Sequence, residues 1–349
     1  MNVTVHQRPG VYSAYDASSV VSGSGAGKQV GLVAVNAKAA ANEVKIVTSY
    51  DGAVNAFGQG TMAELVRLAL KNGAGAVAAV PIAGGEGYAD GFAALEGLED
   101  ITAVICDSTD GDVQKAMKQS VETASANRRE RIAVAAGGAG ETVDQLIARA
   151  KTLNHERVVL VAPGGVNQNG EAADGLGVAA AVAGAIAGES DPAVPLGGAV
   201  LTGLYGPSGR YSDGEMDRLI LGGVTPVESL AGTVGVVRGV TTRTTTGEAA
   251  DATWRDLTTI RIVDDVIPTL RRALRTKFQR AKNTAQSRGA IRAQVVLELE
   301  NKKAREIITG YENVTVTADS QDPARCLVDF SFTVAHGLNQ IWLTAHITV

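Results

Sequence analysis

The stretch Cys326–Val349 reads CLVDFSFTVAHGLNQIWLTAHITV and contains two runs in which apolar and polar residues alternate. The polar break His336–Gln340 separates the two runs. Period-two alternation with β-branched and aromatic residues predicts a strand on each side of that break. The apolar side of the first run holds Val328, Phe330, Phe332 and Val334, and that of the second holds Ile341, Leu343, Ala345, Ile347 and Val349.

The second of these strands is expected to need a partner. It continues to Val349 without a polar tail, whereas chain ends usually fray unless something holds them. A strand without neighbours also exposes N–H and C=O groups that can pair with another strand. We therefore expect this end to be captured, either by the sheet of its own chain or by a neighbouring chain.

Composition limits the class of protein. The chain has 349 residues, which is long for one hydrophobic core and favours two domains. Hydrophobic residues make up 45% of it and aromatic residues only 4%, with 41 glycines, so a folded protein is predicted whose cores consist mainly of Ala, Val, Leu and Ile. A net charge of −5 argues against a general nucleic-acid binder.

No secretion or membrane segment is expected. The start MNVTVHQRPG lacks a basic region followed by an apolar one, and the Ala/Gly-rich segment Val178–Gly188 is too short to span a bilayer. Synthesis as a soluble cytoplasmic chain follows. Cys106 and Cys326 are then expected to be two free thiols in a reducing compartment, with a disulfide as the alternative.

The pattern divides the chain into three parts. Residues 1–25 form an extended arm and a small, flexible linker. From 26 to 240, strand-like runs alternate with amphipathic helical segments, which predicts an α/β domain with a largely parallel sheet. From 241 to 349, Gly and Ala become rarer and charged residues more frequent, which indicates a separate α+β domain.

The last part contains the strongest charge feature. Leu257–Val263 alternates and predicts a strand, and Asp264–Lys282 predicts a helix that is broken or bent near Pro268. One face of this helix is basic. A solvated face and an electrostatic docking surface for an acidic partner are both open interpretations. The basic residues are Arg271, Arg272, Arg275, Lys277, Arg280 and Lys282.

Glycine-rich segments suggest nucleotide binding only superficially. Ser22–Gln29 (SGSGAGKQ) is similar to a phosphate-binding P-loop, but Ser22 replaces the first Gly, Gln29 replaces the Ser/Thr, and the segment precedes a strand instead of following one. Gly84–Gly87 and Gly137–Gly140 each lie between a strand and a helix, as in dinucleotide folds, without the G-x-G-x-x-G spacing. We expect no cofactor.

The residue types for catalysis or metal binding are not clustered. The four histidines, His6, His155, His336 and His346, are scattered, and neither H-x-x-x-H nor C-x-x-C occurs. Ser212–Glu215 (SDGE) could hold an acid–base pair but is more typical of a helix start capped by its own side chains. No catalytic residue and no metal site is predicted.

Several short motifs resemble contractile phage tail sheath proteins. Arg8–Tyr12 (RPGVY) resembles the P-G-V-Y opening of that family, and the closing FSF and IWLT segments of Cys326–Val349 are similar too. Arg131–Val134 and Arg157–Gly164 add to the likeness, as does the order of a short arm, an α/β region and a strand–helix–strand assembly domain. The resemblance covers nearly the whole chain.

This resemblance implies a structural protein whose subunits form stacked hexameric rings around an inner tail tube. The two terminal arms would add strands to a sheet in a neighbouring subunit and keep the lattice connected during contraction. The basic helix would face an acidic tube, and the energy would come from contacts between subunits, not from a nucleotide. The implied arm residues are Val3, Val5, Val11, Tyr12, Ile341, Leu343, Ile347 and Val349.

The same resemblance implies further partners and a location. Baseplate and tail terminator proteins are expected partners, and nucleic acid and membrane are not. The chain would be made in the host cytoplasm and end in a tail particle, of a phage or of a bacteriocin. Two alternatives remain open: a doubly wound α/β enzyme or nucleotide-binding protein, and a small homo-oligomer that dimerises through its terminal strand.

Overall fold

A computed structural model describes residues 28–167, 169–230 and 232–346. The arm residues Val3, Val5, Val11 and Tyr12, the P-loop-like residues before Lys28, and Ile347 and Val349 lie outside this part. The strands are β1 (Gln29–Val35), β2 (Lys45–Val47), β3 (Ala76–Ile82), β4 (Ile101–Cys106), β5 (Ile132–Ala136), β6 (Val158–Ala162), β7 (Val200–Leu201), β8 (Val224–Leu230), β9 (Thr233–Val236), β10 (Thr245–Thr246), β11 (Ala249–Ala250), β12 (Ile308–Ala318) and β13 (Cys326–Val334).

The helices of the described part alternate with these strands up to residue 221 and then form a pair. They are α1 (Tyr50–Phe57), α2 (Thr61–Lys71), α3 (Tyr88–Glu96), α4 (Gly111–Ala126), α5 (Val143–Leu153), α6 (Leu176–Gly188), α7 (Asp213–Leu221), α8 (Leu257–Phe278) and α9 (Ala285–Ala304).

A nine-stranded sheet forms the larger module, in the order β2-β3-β1-β4-β5-β6-β8-β9-β7. The six strands from β3 to β8 are parallel, and β2, β9 and β7 pair antiparallel at the two ends. All residues of β3 and β6 are buried, as expected for strands that helices cover on both faces. The predicted α/β fold with a largely parallel sheet is confirmed.

Two cores lie on opposite faces of this sheet. Helices α1, α2 and α6 cover one face, around Phe57, Leu68 and Ile186. Helices α3, α4, α5 and α7 cover the other, around Phe92 and Met117. The Ala-rich α6 packs closely on α2, because a Cβ on Gly184 would lie 2.3 Å from the carbonyl oxygen of Ala69.

A third core lies between the helix pair α8–α9 and the hairpin β12–β13. The prediction of a strand at Leu257–Val263 is wrong, since these residues form the first turns of α8. Burial explains the difference. Leu257 and Ile260 pack into the core of the large sheet, and Ile262 packs into the third core, so tertiary contacts on several sides outweigh the local preference for a strand.

Two further boundaries differ from the prediction. Helix α8 continues through Pro268 without a break, because the loss of one backbone donor is small beside the packing of Val266 and Leu270 on either side. The helix ends at Phe278. Arg280 lies in the turn that follows, and Lys282 lies beyond that turn. Residues 257–334, called the assembly module below, contain α8, α9, β12 and β13. Their order is therefore helix–helix–strand–strand instead of the expected strand–helix–strand.

The described part of the second terminal run, residues 341–346, contains no strand. Capture of this run by the sheet of its own chain is not seen within the described residues. A strand formed on a neighbouring chain, which would accept its backbone hydrogen bonds, stays a prediction. The three-part domain division stays a prediction.

Candidate assembly interfaces

The hairpin β12–β13 forms a two-stranded sheet with one covered face. Phe330 and Phe332 alternate with the exposed Asp329 and Ser331, and the apolar side packs on the third core. The two strands pair antiparallel from Ile308–Val334 to Ala318–Cys326. Within the described residues neither strand has a second neighbour, so both outer edges of this sheet are available for another strand.

The C-terminal segment, residues 335–346, leaves this sheet at a defined point. The backbone N–H of Ala335 donates to the carbonyl of Ile307 over 3.2 Å. Gly337 then passes close to Pro195, where a Cβ would come within 2.8 Å of the proline Cβ. These two contacts hold the root of the segment, and its direction beyond Gly337 is set by no further backbone hydrogen bond within the described part.

Beyond its root the C-terminal segment exposes large apolar side chains. Ile341 is 81% exposed, Trp342 89% and Leu343 91%. Three consecutive apolar residues in water on a chain end are costly for an isolated protein and mark an interaction site. The alternation predicted from the sequence is therefore present in a segment that lacks a partner strand in the single chain.

The basic residues of α8 divide into two groups. Arg271 pairs with Glu130 over 3.0 Å, and Lys277 donates to Gln294 of α9 over 2.5 Å. Arg272 and Arg275 are exposed and have no ion-pair partner among the described residues. Arg280 and Lys282 are exposed after the end of the helix. The six cations thus do not form one continuous helical face.

A groove of about 590 Å³ lies between α8 and the N-terminal ends of β4 and β5. Arg271, Arg272 and Arg275 line one wall, and the turn Asn127–Arg131 lines the other. Arg131 is buried and donates to the carbonyl oxygens of Leu95 and Leu98, at 2.9 and 2.7 Å. Arg128 and Arg129 have no ion-pair partner in the described ranges, which leaves their charge available to a ligand of the groove.

One buried ion pair and one hydrogen bond connect the large sheet to α8, and a second ion pair joins α8 to α9. Arg157, just before β6, contacts both carboxylate oxygens of Asp264 in α8, at 2.6 and 2.8 Å. Lys302 of α9 donates to Asp265 over 2.5 Å, and Arg261 donates to the carbonyl of Glu189 at the end of α6. From the sequence, Asp264 is only the first residue of the predicted helix Asp264–Lys282. The one available signal for its partner was the position of Arg157, a charged residue directly before a buried strand.

The strand-end glycine turns are not built as phosphate sites. At Gly137–Gly140 the backbone N–H of Gly138 already donates to the carboxylate of Glu141 over 2.8 Å. Burial alone would raise the pKa of Glu141, but hydrogen bonds from Arg149 and from this N–H hold it below its usual range. The carboxylate of the chain itself thus occupies the place that a phosphate would need.

The second glycine turn, Gly84–Gly87, lines an open pocket of about 420 Å³. It contributes Glu86, whose charge repels a phosphate, and the described lining contains no Lys or Arg. Lys28, the lysine of the P-loop-like segment, donates to the carbonyl of Glu189 over 3.1 Å.

The remaining candidate residues have structural roles. Ser212 and Glu215 form a capping box at the start of α7, which confirms the capping interpretation. Cys106 and Cys326 are free thiols, as predicted. Both were expected to be buried, but only Cys106 is, and burial raises its pKa to about 12, whereas Cys326 is half-buried at the start of β13. No group of three or more potential metal ligands occurs in the described ranges, and none of the helices described there is long and apolar enough to cross a membrane.

His155 is held by three contacts near the start of β6. Its Nε2 lies 3.0 Å from a carboxylate oxygen of Glu122, and its Nδ1 accepts a hydrogen bond from the backbone N–H of Arg157 over 3.0 Å. Its own backbone N–H donates to the hydroxyl of Thr242 over 3.0 Å. Burial lowers the pKa of this imidazole, against the opposing effect of Glu156 and Glu122. The other two described histidines lie far along the chain from it, in the C-terminal segment.

Two family models match the chain. One, described as the phage tail sheath protein central domain, matches residues 82–242, and the other, described as the phage tail sheath C-terminal domain, matches residues 249–348. No curated protein matches the chain.

Solved structures of similar fold include sheath assemblies. A chain of the anti-feeding prophage baseplate shares 17% identity with a TM-score of 0.74, over 99% of this chain and 100% of that one. A chain of the contracted helical sheath of the same prophage shares 17% with a TM-score of 0.72, over 98% and 99%. The sheath tail protein from Desulfitobacterium hafniense shares 13% with a TM-score of 0.70, over 93% and 100%.

Proposed function

Since this chain belongs to the phage tail sheath family, in which it is a structural sheath subunit and not an enzyme, we propose that it polymerises as stacked hexameric rings around an inner tail tube. Contraction of this polymer would drive the tube through a cell envelope. The polymer would be part of an assembled tail particle, with baseplate and tail terminator proteins at its ends, after synthesis in the host cytoplasm.

One observation carries this proposal. Within residues 28–346 as described, the same chain has a two-stranded sheet with two unpaired edges and a C-terminal segment with exposed, strand-patterned apolar residues. The sheet edges have backbone N–H and C=O groups without a strand partner, and the C-terminal segment has no sheet to pair with. Addition of one chain's segment to the sheet of another satisfies both sets of backbone groups, as in β-augmentation. Such a contact is heterologous and does not close, so it yields a filament.

The N-terminal arm residues Val3, Val5, Val11 and Tyr12 would supply the strand for the second edge. The C-terminal arm would act through Ile341, Leu343, Ile347 and Val349. Two arms and two open edges match in number, which supports an exchange among neighbouring subunits.

The modules between the arms would move as one body. Helix α8 is part of two cores, and the Arg157–Asp264 pair joins the modules across their boundary. Covalent arm segments rooted at residues such as Gly337 would then serve as hinges, so the lattice stays connected while rigid subunits re-pack. Tighter packing between subunits in the contracted state would supply the free energy of contraction, without a nucleotide.

The basic residues from Arg271 to Lys282 would face an acidic inner tube in the extended state. Arg272, Arg275, Arg280 and Lys282 are exposed, which supports this role. Exposed ion pairs are individually weak, so a surface of this kind could hold the sheath on the tube and still release it.

Truncation of the C-terminal arm tests the proposal. Removal of Ile341–Val349 deletes a segment whose described residues, 341–346, are all exposed, so the shortened protein should keep its thermal unfolding temperature. Negative-stain electron microscopy should show tubes or rings for the full chain at high concentration and none for the truncated chain. Tubes of the truncated protein would exclude the arm exchange.

The tube contact has its own test. Arg272→Glu together with Arg275→Glu should impair co-assembly with an acidic tube, whereas Lys151→Glu with Arg210→Glu, an equal charge change on exposed residues outside the groove, should not. Equal co-assembly of both double variants would remove the basic segment from the tube interface.

A further inference from the structure

The large module carries opposite charges at the two ends of its parallel strands. Helices α3, α4, α5 and α7 all begin at the carboxyl end of the sheet, and each has an acidic residue in its first turn: Asp90, Asp112, Asp144 and Asp213. Glu86 and Asp110 lie in the turns just before α3 and α4. This edge of the module is therefore acidic.

The amino end of the same sheet is basic. The groove described above opens there, with Lys28, Arg128, Arg129 and Arg131 around the starts of β1, β4 and β5, opposite the arginines of α8. Its four acidic residues are fewer than its seven cations. Glu130 and Asp264 are paired with Arg271 and Arg157, whereas Glu99 and Asp100 are exposed and have no ion-pair partner in the described ranges. The groove thus presents a surplus of positive charge.

Helix dipoles explain part of this distribution but not all of it. Acids favour helix N-termini, and Asp112 and Asp144 are paired with Lys115 and Arg218. Glu86 and Asp90, in contrast, are exposed and have no ion-pair partner among the described residues. At the other end Arg128 is exposed and Arg129 half-buried, and neither is ion-paired within the described ranges. An acidic turn without ion pairs and a pair of cations without ion pairs therefore lie at opposite ends of one module.

These ends are too far apart to neutralise each other within one chain. Strand β3 has seven residues, so about 20 Å separates its ends. The Debye length at physiological salt is about 8 Å, so each end acts as an independent charged surface.

We propose that the groove of one subunit receives the acidic turn Glu86–Asp90 of a second copy of this chain, in a head-to-tail contact. The inference rests on the proposed function, since it concerns a lattice of identical subunits. The contact joins two different surfaces, so each added subunit exposes a new site for the next one. It therefore extends a polymer as the arm exchange does, but through folded surfaces instead of terminal segments. Arg128 and Arg129, on one wall of the groove, carry the contact between copies, whereas Arg272 and Arg275, on the other wall, remain assigned to the proposed tube contact.

Reciprocal charge reversal tests this contact in the absence of tube. The groove variant carries Arg128→Asp with Arg129→Glu, and the turn variant carries Glu86→Lys with Asp90→Lys. Each variant alone places like charges opposite each other, so its critical concentration for polymerisation should rise at least about tenfold over that of the unmodified chain. An equimolar mixture should polymerise again, because the reversed groove of one variant matches the reversed turn of the other.

Polymer is measured by sedimentation and negative-stain microscopy at several salt concentrations. The neutral pairs Arg128→Ser with Arg129→Ser and Glu86→Gln with Asp90→Asn keep the test decisive if a reversed variant does not fold, and each should give a smaller rise that vanishes at high salt. A variant that polymerises like the unmodified chain, or a mixture that stays dispersed, overturns the contact. Absence of polymer from the unmodified chain itself, with and without tube, would instead overturn the proposed sheath function.

Discussion

Arg157 and Asp264 form a bidentate ion pair, with N–O distances of 2.6 and 2.8 Å, although 107 positions separate them in the chain. Arg157 directly precedes a central strand of the large sheet, and Asp264 lies in the helix that leads into the assembly module. Their side chains are only 12% and 16% exposed. This pair thus fixes the orientation of α8 at a point where the two modules meet.

Loss of one member of this pair should destabilise the protein strongly. Asp264→Ala leaves a buried guanidinium without its carboxylate, and a cost of about 3–5 kcal/mol in the free energy of unfolding is expected. Arg157→Met with Asp264→Leu removes both charges and should cost much less. Denaturant unfolding of Arg157→Met, of Asp264→Leu and of the double variant gives the coupling energy of the pair. If the two single losses simply add up to that of the double variant, the side chains do not interact directly.

Two glycines in helices should respond oppositely to the same change. Gly184→Ala puts a methyl group 2.3 Å from the Ala69 carbonyl oxygen, so α2 and α6 must separate, at a cost of about 1–3 kcal/mol. Gly289→Ala in α9 meets nothing within 4 Å and should stabilise the protein by about 0.5–1 kcal/mol. Chemical denaturation measures both. Equal effects would show that the close approach of α2 and α6 is not a constraint.

Proline substitutions in the C-terminal segment should separate assembly from folding. Trp342 and Leu343 are each about nine-tenths exposed, so neither Trp342→Pro nor Leu343→Pro should change the unfolding free energy by more than about 0.5 kcal/mol. Successive N–H groups of a strand point to opposite sides, so one of the two prolines removes a donor that faces the acceptor sheet.

At least one of these variants should therefore form no polymer, as judged by light scattering. Asn339→Pro, in the polar break between the two runs, is the matched control and should assemble. Polymer from both Trp342→Pro and Leu343→Pro would be incompatible with strand addition at this segment.

His155 should make stability depend on pH below neutrality. Burial lowers the pKa of its imidazole below the value in the unfolded chain, so the unfolded state binds a proton more readily. The associated stability is present above the unfolded pKa of about 6.5 and is lost as pH falls. A single proton limits the loss to about 1.4 kcal/mol per pH unit.

Unfolding free energies at pH 7 and pH 5 check this for the original chain and for His155→Gln, which keeps the other histidines. The original chain should lose more stability over that interval. A larger loss in the variant would reverse the sign and contradict a neutral His155 in the folded protein.

Local sequence patterns predicted the alternation of strands and helices in the larger module, because β3 and β6 are continuous apolar runs and α2, α4 and α5 are periodic and end at polar turns. The same patterns misled at Leu257–Val263, where alternation and β-branched residues favour a strand. There the burial of Leu257 in one core and of Ile262 in another requires a helix, and those cores involve residues far away in the chain.

The sequence by itself determined the alternation of buried strands with helices and the strand-patterned apolar residues at the C-terminus, since both depend on the spacing of side chains along one segment. Only the tertiary structure decided which charges meet. Arg157 and Asp264 pair, Glu141 fills the turn at Gly138, and Glu86 and Asp90 lie at the opposite end of the sheet from Arg128 and Arg129. The reason is geometric: a charge finds its partner through the direction in which each strand and helix returns, and that direction is set by how all of them pack together.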